Sequence, residues 1–320
     1  MQTAIITGVS GQIGSYLAEY LITLGHHVIG IDRRKSTVYG WGSNIKSLVN
    51  NQSFELVYGD IKDSSFINRL VSKYRPHKLF LLAAQSHVGQ SFLEPLETFD
   101  TDARATLIAL EAVRLHSPST KIYFSATSEL FGGIDCPSEG YTEENHFHPR
   151  SPYGVAKLSS YWAVKNYREA YGLFACSGIF FNNESPRRGA DFVTRKITLG
   201  VASILKGNSD TITLGNIDAY RDWGYSKEYC EVINLILERD TPEEFVIATG
   251  ESYSVRDWLR FSLEAAGLPS SNWKKYVSFD SKYMRPSEVP FLKGNPSKSK
   301  DILGWEAKVK APELASIMTA

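Results

Sequence analysis

The sequence predicts an α/β protein in which a doubly wound parallel sheet is followed by a smaller C-terminal α/β lobe. Three observations predict it. Short apolar runs at 4–7, 79–84 and 121–126 suit strands that are buried on both faces of a parallel sheet. Helical periodicity separates these runs, and a glycine-rich turn joins the first run to the first helix. The length of 320 residues is enough for one large domain with a second lobe.

The elements follow one another as strand, helix, strand, which is the order of a Rossmann-type sheet. The first strand, a turn at 8–14 and a helix carrying Leu17, Leu21 and Leu24 lead into a second strand at 27–32. Further strands are predicted at 54–58, 79–84, 121–126, 174–181 and 244–249, and helices at 95–115, 153–171, 192–205, 226–237 and 255–266.

Composition excludes several classes of function. Lys plus Arg and Asp plus Glu both total 35, so the balanced charge predicts neither nucleic-acid nor anionic-membrane binding. Cys136, Cys176 and Cys230 lie far apart, which predicts no disulfide framework and no metal site, and fits a reducing compartment. The longest apolar run, 79–84, is too short to span a bilayer, and no leader pattern precedes the first strand. We expect a soluble cytoplasmic protein.

The turn between the first strand and the first helix has glycine at every third position, in Gly8, Gly11 and Gly14. Glycine permits a tight turn and lets the backbone approach a pyrophosphate, which the N-terminus of the helix then faces. The alternative is a tight turn without a ligand. We expect residues 1–182 to form an NAD(P)-binding domain, to which a segment at about 216–250 returns, and residues 183–320 to form mainly a substrate-binding lobe.

The end of the second strand carries conflicting signals about the cofactor. Asp32 is placed to accept hydrogen bonds from the adenosine ribose, which favours NAD. Arg33 and Arg34 follow directly and suit a 2′-phosphate, which favours NADP. Asp60 and Ile61 end the next strand, where an adenine ring could lie.

Tyr153 and Lys157 are spaced to share one face of a helix. A cation beside a phenol favours the phenolate, which makes Tyr153 a candidate general base. Thr127 and Glu129 sit at the carboxyl end of the fifth strand, the edge at which open α/β sheets bind ligands. The structural alternatives are a chance Tyr–Lys spacing and a carboxylate that only stabilises a helix dipole.

Together with the glycine turn, these residues resemble the extended short-chain dehydrogenase/reductase family. Longer blocks along the whole chain resemble, more narrowly, the GDP-mannose 4,6-dehydratase family. They are TSELFG at 127–132, HPRSPY at 148–153, NNESPRRG at 182–189, FVTRK at 192–196, RDWG at 221–224 and RPSEV at 285–289.

The resemblance implies an internal redox reaction on a GDP-linked sugar. Tyr153, aided by Lys157, takes the C4 hydroxyl proton while a hydride moves from C4 to the nicotinamide, and Thr127 bonds the C4 oxygen. Glu129 then removes the C5 proton, water leaves from C6, and the hydride returns to C6. The mechanism needs no metal. A carboxylate joins the Tyr–Lys pair because C4 oxidation alone requires no base at C5.

The residues and the resemblance together assign two binding sets. Val193 and Lys196 would contact guanine, Arg221 and Arg285 the diphosphate, and Glu288 a ribose. The cofactor set is Gly8, Ser10, Gly11, Gln12, Ile13, Gly14, Asp32, Arg33, Arg34, Asp60, Ile61, Leu82, Ala83, Ala84, Ser86, Tyr153, Lys157 and Arg188. The substrate set is Ser86, Thr127, Ser128, Glu129, Asn182, Val193, Lys196, Leu214, Gly215, Arg221, Arg285 and Glu288. The resemblance also implies a homodimer or homotetramer, in which Arg188 could reach cofactor phosphate across an interface.

Three positions depart from the family pattern. Ile13 stands where an acid is common, Asn183 stands where a histidine is common, and Asp32 is unusual beside an NADP preference. They leave NADP, expected from the resemblance, and NAD both open, and they allow a substrate such as GDP-manno-heptose in place of GDP-mannose. The alternative functions are a nucleotide-sugar C4 dehydrogenase or epimerase and a non-catalytic nucleotide sensor.

Overall fold

The structure, a computed structural model, describes residues 1–33 and 44–320. The N-terminal part contains six strands and the helices that lie between most of them along the chain. The strands are β1 (Thr3–Thr7), β2 (His27–Asp32), β3 (Phe54–Tyr58), β4 (Lys78–Leu81), β5 (Lys121–Thr127) and β6 (Ala175–Phe180). The helices are α1 (Gln12–Thr23), α2 (Ser64–Tyr74), α3 (Val88–Leu93), α4 (Pro95–Phe99), α5 (Ala105–His116) and α6 (Pro152–Tyr171), with a π-helical turn at Asp100–Arg104 and a 3₁₀ turn at Ser128–Leu130.

The C-terminal part is built from short strands and longer helices. In chain order they are β7 (Asn182–Glu184), α7 (Val193–Leu205), β8 (Ile212–Leu214), β9 (Tyr220–Arg221), β10 (Trp223–Tyr225), α8 (Ser226–Glu238), β11 (Phe245–Ile247), β12 (Tyr253–Ser254), α9 (Val255–Ala265), β13 (Val277–Phe279), α10 (Ser297–Leu303) and α11 (Ala311–Thr319). Two 3₁₀ segments, Ser270–Tyr276 and Ser281–Tyr283, flank β13.

Seven strands form one sheet in the order β3-β2-β1-β4-β5-β6-β11, and every neighbouring pair is parallel. The direction of winding reverses between β1 and β4, so the sheet is doubly wound as predicted. Such a reversal opens a crevice at the carboxyl ends of the strands. β11, which lies inside the predicted returning segment, pairs with β6 and closes one edge.

Alternate residues of each strand pack into two different cores. Ile5 of β1 joins the core beneath α2, α5 and α6, whereas Ala4 and Ile6 join the core beneath α1 and α8. Each fully buried aliphatic side chain of this kind contributes about 1.5–3 kcal/mol. A third core under α7, α9 and α11 stabilises the C-terminal lobe, where the Trp223 and Trp258 ring centroids lie 5.1 Å apart. Within residues 1–33 and 44–320, no helix is both long and apolar enough to cross a membrane.

Two predicted elements were wrong in their extent. The strand predicted at 79–84 ends at Leu81, because the backbone N–H groups of Leu82 and Ala83 both donate to Thr7 Oγ1 at 3.0 Å instead of extending the ladder. The helix predicted at 95–115 is divided by the π-helical turn between α4 and α5. Helix α2 and the short strands of the C-terminal lobe were not predicted.

Candidate active site

A large cavity of about 950 Å³ opens at the carboxyl edge of the sheet. Its wall includes every residue predicted above for cofactor, substrate or catalysis, with one exception. Arg34 lies outside the described residues. The crevice at the β1–β4 reversal therefore brings together residues from most of the chain, as a doubly wound sheet allows.

Glycine is required at two points of the turn that follows β1. Gly8 has a φ of +69°, and a Cβ added there would lie 2.9 Å from Ala83 Cα. A Cβ on Gly14 would lie 2.4 Å from the Gly8 carbonyl oxygen. Helix α1 begins directly after this turn with no side-chain cap and no acid in its first turn. Its unpaired N–H groups and positive dipole end fit a pyrophosphate, so these residues suit a dinucleotide.

The cavity wall at the end of β2 contains both the acid that favours NAD and an arginine that favours NADP. Asp32 ends β2 and accepts the N–H of Arg33 at 2.7 Å, while the Arg33 guanidinium lies 4.0 Å from Glu97. Asp60 accepts the N–H of Lys62 at 2.9 Å. Asp32 and Arg33 both line the cavity, so this geometry suits either a ribose hydroxyl or a phosphate.

Glu129 is a buried carboxylate at the centre of the cavity wall. The 3₁₀ turn Ser128–Leu130 follows β5, and the Thr127 Oγ1 atom accepts the N–H of Glu129 at 3.3 Å. Glu129 is 6% exposed; its Oε1 lies 3.6 Å from Arg285 Nη1, and its buried Oε2 has no hydrogen-bond partner among the described residues. Glu129 lines the cavity, and a carboxylate that a ligand can reach there can accept a proton from it.

Tyr153 and Lys157 lie in the first turns of α6. Ser151 caps this helix by accepting the N–H of Gly154 at 3.0 Å, and Pro152 occupies its first turn. Burial raises the pKa of the Tyr153 phenol, and the Asp102 carboxylate raises it further, while a hydrogen bond with Thr127 opposes both. Burial lowers the pKa of Lys157. Because the pKa of Tyr153 is raised, the phenol needs positive charge beside it to act as a base.

Two arginines and one glutamate form another part of the cavity wall, next to Glu129. Arg221 Nη1 donates to the carbonyl oxygens of Tyr220 and Val289, both at 2.8 Å, and its Nη2 lies 3.3 Å from Glu288. Arg285 Nη1 lies 3.8 Å from the same carboxylate. Backbone bonds fix the Arg221 guanidinium in one orientation, which suits bidentate binding of an anion.

The far end of the cavity belongs to the C-terminal lobe. Val193 and Lys196 lie in the first turn of α7, and the Lys196 Nζ atom lies 3.3 Å from the centroid of the Tyr283 ring. Leu214 ends β8, and a Cβ on the following Gly215 would lie 2.7 Å from the Tyr283 carbonyl oxygen. The Lys196 cation thus lies over an aromatic ring in the cavity wall, and a flat apolar surface beside hydrogen-bond donors suits a planar base.

The family described as GDP-mannose 4,6 dehydratase matches residues 5–318 of the chain. The chain belongs to the GDP-mannose 4,6-dehydratase family. The GDP-mannose 4,6-dehydratase of Vibrio cholerae is 43% identical over 350 residues, covering 98% of this chain and 92% of that protein. The human GDP-mannose 4,6 dehydratase is 44% identical over 338 residues, covering 98% and 90%.

Solved structures place the same fold in related enzymes. The UDP-glucose 4-epimerase of Thermotoga maritima, solved with UDP-glucose, has a TM-score of 0.86 at 27% identity and covers 99% of this chain and 97% of its own. The dTDP-glucose 4,6-dehydratase of Bacillus anthracis, solved with NAD, has a TM-score of 0.85 at 21% identity, covers 100% and 96%, and shows the fold alone. The predicted fold class and family are both confirmed, and membership makes the chain an NAD(P)-dependent hydro-lyase.

Gln12 of this GDP-mannose 4,6-dehydratase family member was predicted for the cofactor set, whereas the polar residues that its side chain contacts were missed. Gln12 Nε2 donates to the Asn183 carbonyl at 2.8 Å, and Gln12 Oε1 accepts from Ser185 Oγ at 2.9 Å. Asn183 Oδ1 also accepts from Ser226 Oγ at 2.9 Å. A polar network thus joins the glycine turn to β7 and α8. The only signal in the sequence was the departure at Asn183, which indicates no partner.

Arg188, assigned above to cofactor phosphate, is held on the wall by two neighbours. Its Nε lies 3.2 Å from the buried carboxylate of Glu184, and its guanidinium lies 3.4 Å from the centroid of the Phe192 ring. Its positive charge lowers the pKa of Tyr153, which favours the phenolate. The His87 ring lies 5.6 Å from Phe192 in the same wall, and no pattern in the sequence pointed to it.

Asp222, next to Arg221, joins two other segments of the chain, at 249–250 and at 294. It is fully buried and accepts the Thr249 N–H at 2.8 Å, the Thr249 hydroxyl at 2.7 Å, the Gly250 N–H at 3.0 Å and the Gly294 N–H at 3.2 Å. Burial raises its pKa to about 6, against the effect of these bonds. Because the folded pKa is raised, the contribution of Asp222 to stability falls as the pH rises from about 4 to about 6.

We expect Asp222→Asn to lower the free energy of unfolding by about 2–4 kcal/mol, because the new amide places a donor against N–H donors. The matched control is Asp218→Asn, at a mostly exposed carboxylate that pairs with Arg256, where we expect less than about 1 kcal/mol. Urea unfolding at pH 7 measures both. Equal losses in the two variants would contradict the anchoring role.

Proposed function

We propose that the chain is a GDP-sugar 4,6-dehydratase that converts GDP-mannose, or a close GDP-sugar such as GDP-manno-heptose, to the 4-keto-6-deoxy product by internal hydride transfer and loss of water. The observation that carries the proposal is the position of Glu129. A buried carboxylate with a free oxygen shares the cavity wall with Thr127, Tyr153 and Lys157. Oxidation at C4 needs only the last three, whereas elimination needs a base at C5.

The cofactor proposed is NADP from the family, with NAD kept open by Asp32. The glycines of the turn and the start of α1 would hold its pyrophosphate. When bound, the nicotinamide supplies the hydride chemistry, by accepting a hydride from the sugar and returning it. Mass spectrometry of the nucleotide released on denaturation distinguishes NADP from NAD.

Tyr153 takes the proton of the C4 hydroxyl, and Lys157 stabilises the phenolate. The Thr127 hydroxyl bonds the same oxygen. Glu129 removes the C5 proton, which the C4 ketone has acidified, and passes a proton to the departing C6 hydroxyl. The proton taken from the C4 oxygen is available to return to C5, so the reaction releases water and no net proton.

The substrate is proposed to lie along the part of the cavity wall that Arg221, Arg285 and Glu288 form. Arg221 and Arg285 would bind the diphosphate, and Glu288 would bond a ribose hydroxyl. The part of the cavity wall that Val193, Lys196 and Leu214 form would hold the guanine. We propose the division into a cofactor domain at 1–182 and a mainly sugar-binding lobe at 183–320 on the same grounds.

The alternative is a nucleotide-sugar C4 dehydrogenase or epimerase, which the similarity to the Thermotoga maritima epimerase favours. The deciding experiment incubates the purified protein with GDP-mannose and with GDP-manno-heptose and follows both by NMR. A 4-keto-6-deoxy sugar supports the dehydratase. A C4 epimer, or a 4-keto sugar that retains its C6 hydroxyl, would replace it with the alternative.

We further propose a homodimer or homotetramer. Adjacent helices α4, α5 and α6 expose the apolar side chains of Leu96, Leu107, Val155 and Trp162, the last 53% exposed. The cytoplasm stays the predicted location, a prediction that the three free thiols support.

We expect Trp162→Glu to shift the protein toward monomer, because a charge would be buried in an apolar interface. Light scattering coupled to gel filtration measures the mass. The control, Lys206→Glu, changes a charge at the exposed end of α7 and should leave the mass unchanged. A monomeric wild-type protein would reject the assembly.

A further inference from the structure

Asp102 is a buried carboxylate that the mechanism above does not use. It lies in the π-helical turn between α4 and α5 and is 2% exposed. Its Oδ1 accepts the Gln85 N–H at 2.6 Å, whereas the buried Oδ2 has no hydrogen-bond partner among residues 1–33 and 44–320. A buried carboxylate oxygen without a partner costs free energy, so it calls for an explanation such as a role at a nearby site.

The π turn ties Asp102 to the helix that carries Tyr153 and Lys157. The Asp102 carbonyl accepts the Ser160 hydroxyl at 2.6 Å, one turn beyond Lys157 on α6. Gln85, which donates to the carboxylate, precedes the cavity residue Ser86. Single π turns inside helices are uncommon and are frequent at functional sites.

Few other charges act on this carboxylate. Burial raises the pKa of Asp102 to about 7, the Lys157 cation opposes that change, and Glu97 of α4 adds to it weakly. The Asp102 and Glu129 carboxylates both raise the pKa of Tyr153, and the Arg188 cation lowers it. The Asp102 charge therefore reaches both members of the Tyr–Lys pair.

We propose that Asp102 is a positioning residue whose charge controls how readily Tyr153 gives up its proton. When Asp102 is ionised, it pairs electrostatically with Lys157 and disfavours the nearby phenolate. When it is protonated, the Lys157 cation acts on Tyr153 without this counter-charge, and the phenolate forms at lower pH. The inference rests on the proposed function only in taking Tyr153 as the base.

The test is Asp102→Asn, which removes the charge and keeps the shape and the oxygen facing Gln85. We expect the acidic limb of the kcat–pH profile to move to lower pH by about one pH unit, because a negative charge near Tyr153 is lost. The control Ser160→Ala removes the hydroxyl that bonds the Asp102 carbonyl and leaves the carboxylate, so its limb should stay in place. A structural role alone would lower kcat in parallel at every pH, and that result would overturn the proposal.

A second readout does not depend on turnover. The phenolate absorbance of Tyr153 in the cofactor-loaded protein is obtained as the difference between variants with and without Tyr153→Phe. We expect it to titrate at lower pH in Asp102→Asn than in the wild type, and an unchanged titration would overturn the proposal. Asp102→Ser also removes the charge and serves if the asparagine variant does not fold. If the wild type does not dehydrate any GDP-sugar, the proposed function fails while this titration still decides the inference.

Discussion

Replacing Glu129 with glutamine is expected to stop the loss of water while C4 oxidation, the step that reduces the cofactor, continues. The amide keeps the size of the side chain and cannot accept the C5 proton. Removal of a positioned base typically lowers a rate by about 10²–10⁴-fold. Two measurements check the expectation: exchange of the C5 proton with deuterated solvent, followed by NMR, and trapping of the 4-keto sugar that still carries its C6 hydroxyl.

The control for this variant is Glu288→Gln, which faces the same arginine. Arg285 lies 3.6 Å from Glu129 and 3.8 Å from Glu288, so both substitutions remove one of its partners. We expect the Glu288 variant to raise KM and to keep kcat within a few fold, because that carboxylate is proposed to bind a ribose. Full turnover by Glu129→Gln would reject the assignment of the C5 base.

Replacing Tyr153 with phenylalanine is expected to lower kcat by about 10²–10⁴-fold, because the substrate hydroxyl loses its proton acceptor. Binding of the GDP-sugar should change little, since the ring remains. Steady-state kinetics and equilibrium binding of GDP-mannose separate the two effects.

Tyr161→Phe on the same helix is the matched control. Tyr161 packs in the core beneath α6, and no hydrogen bond to its hydroxyl is found within the described residues. We expect near wild-type kcat from it. If Tyr153→Phe were equally active, Tyr153 would not be the base, and a non-catalytic nucleotide-binding protein would become the better reading.

The fold could be predicted from the sequence because its central strands are buried on both faces and therefore appear as continuous apolar runs. Lys78–Leu81 and Ala175–Phe180 are strands of this kind. The short strands of the C-terminal lobe could not be found in this way. β9 and β12 contain two residues each, and their pairing depends on tertiary contacts.

The candidate site was predictable where neighbours in the chain are also neighbours in space. The glycine turn and the Tyr153–Lys157 pair are local patterns. The contact between Glu129 and Arg285 is not, because it joins a turn after β5 to a segment near the other end of the chain. Asp102 was missed for a related reason, since a π turn shifts the register that helical periodicity assumes.

The Gln12 side chain joins the glycine turn to β7 and the residue after it through hydrogen bonds. Its amide is shared between Asn183 and Ser185, so neither segment can be exchanged without leaving an unpaired polar group. If the proposed function holds, a change of coenzyme preference made in this turn also affects the segment at 183–185, which the same amide contacts. A chimera that exchanges the glycine turn alone therefore loses hydrogen bonds of the Gln12 amide. A chimera that exchanges the turn together with the segment at 183–185 can keep them.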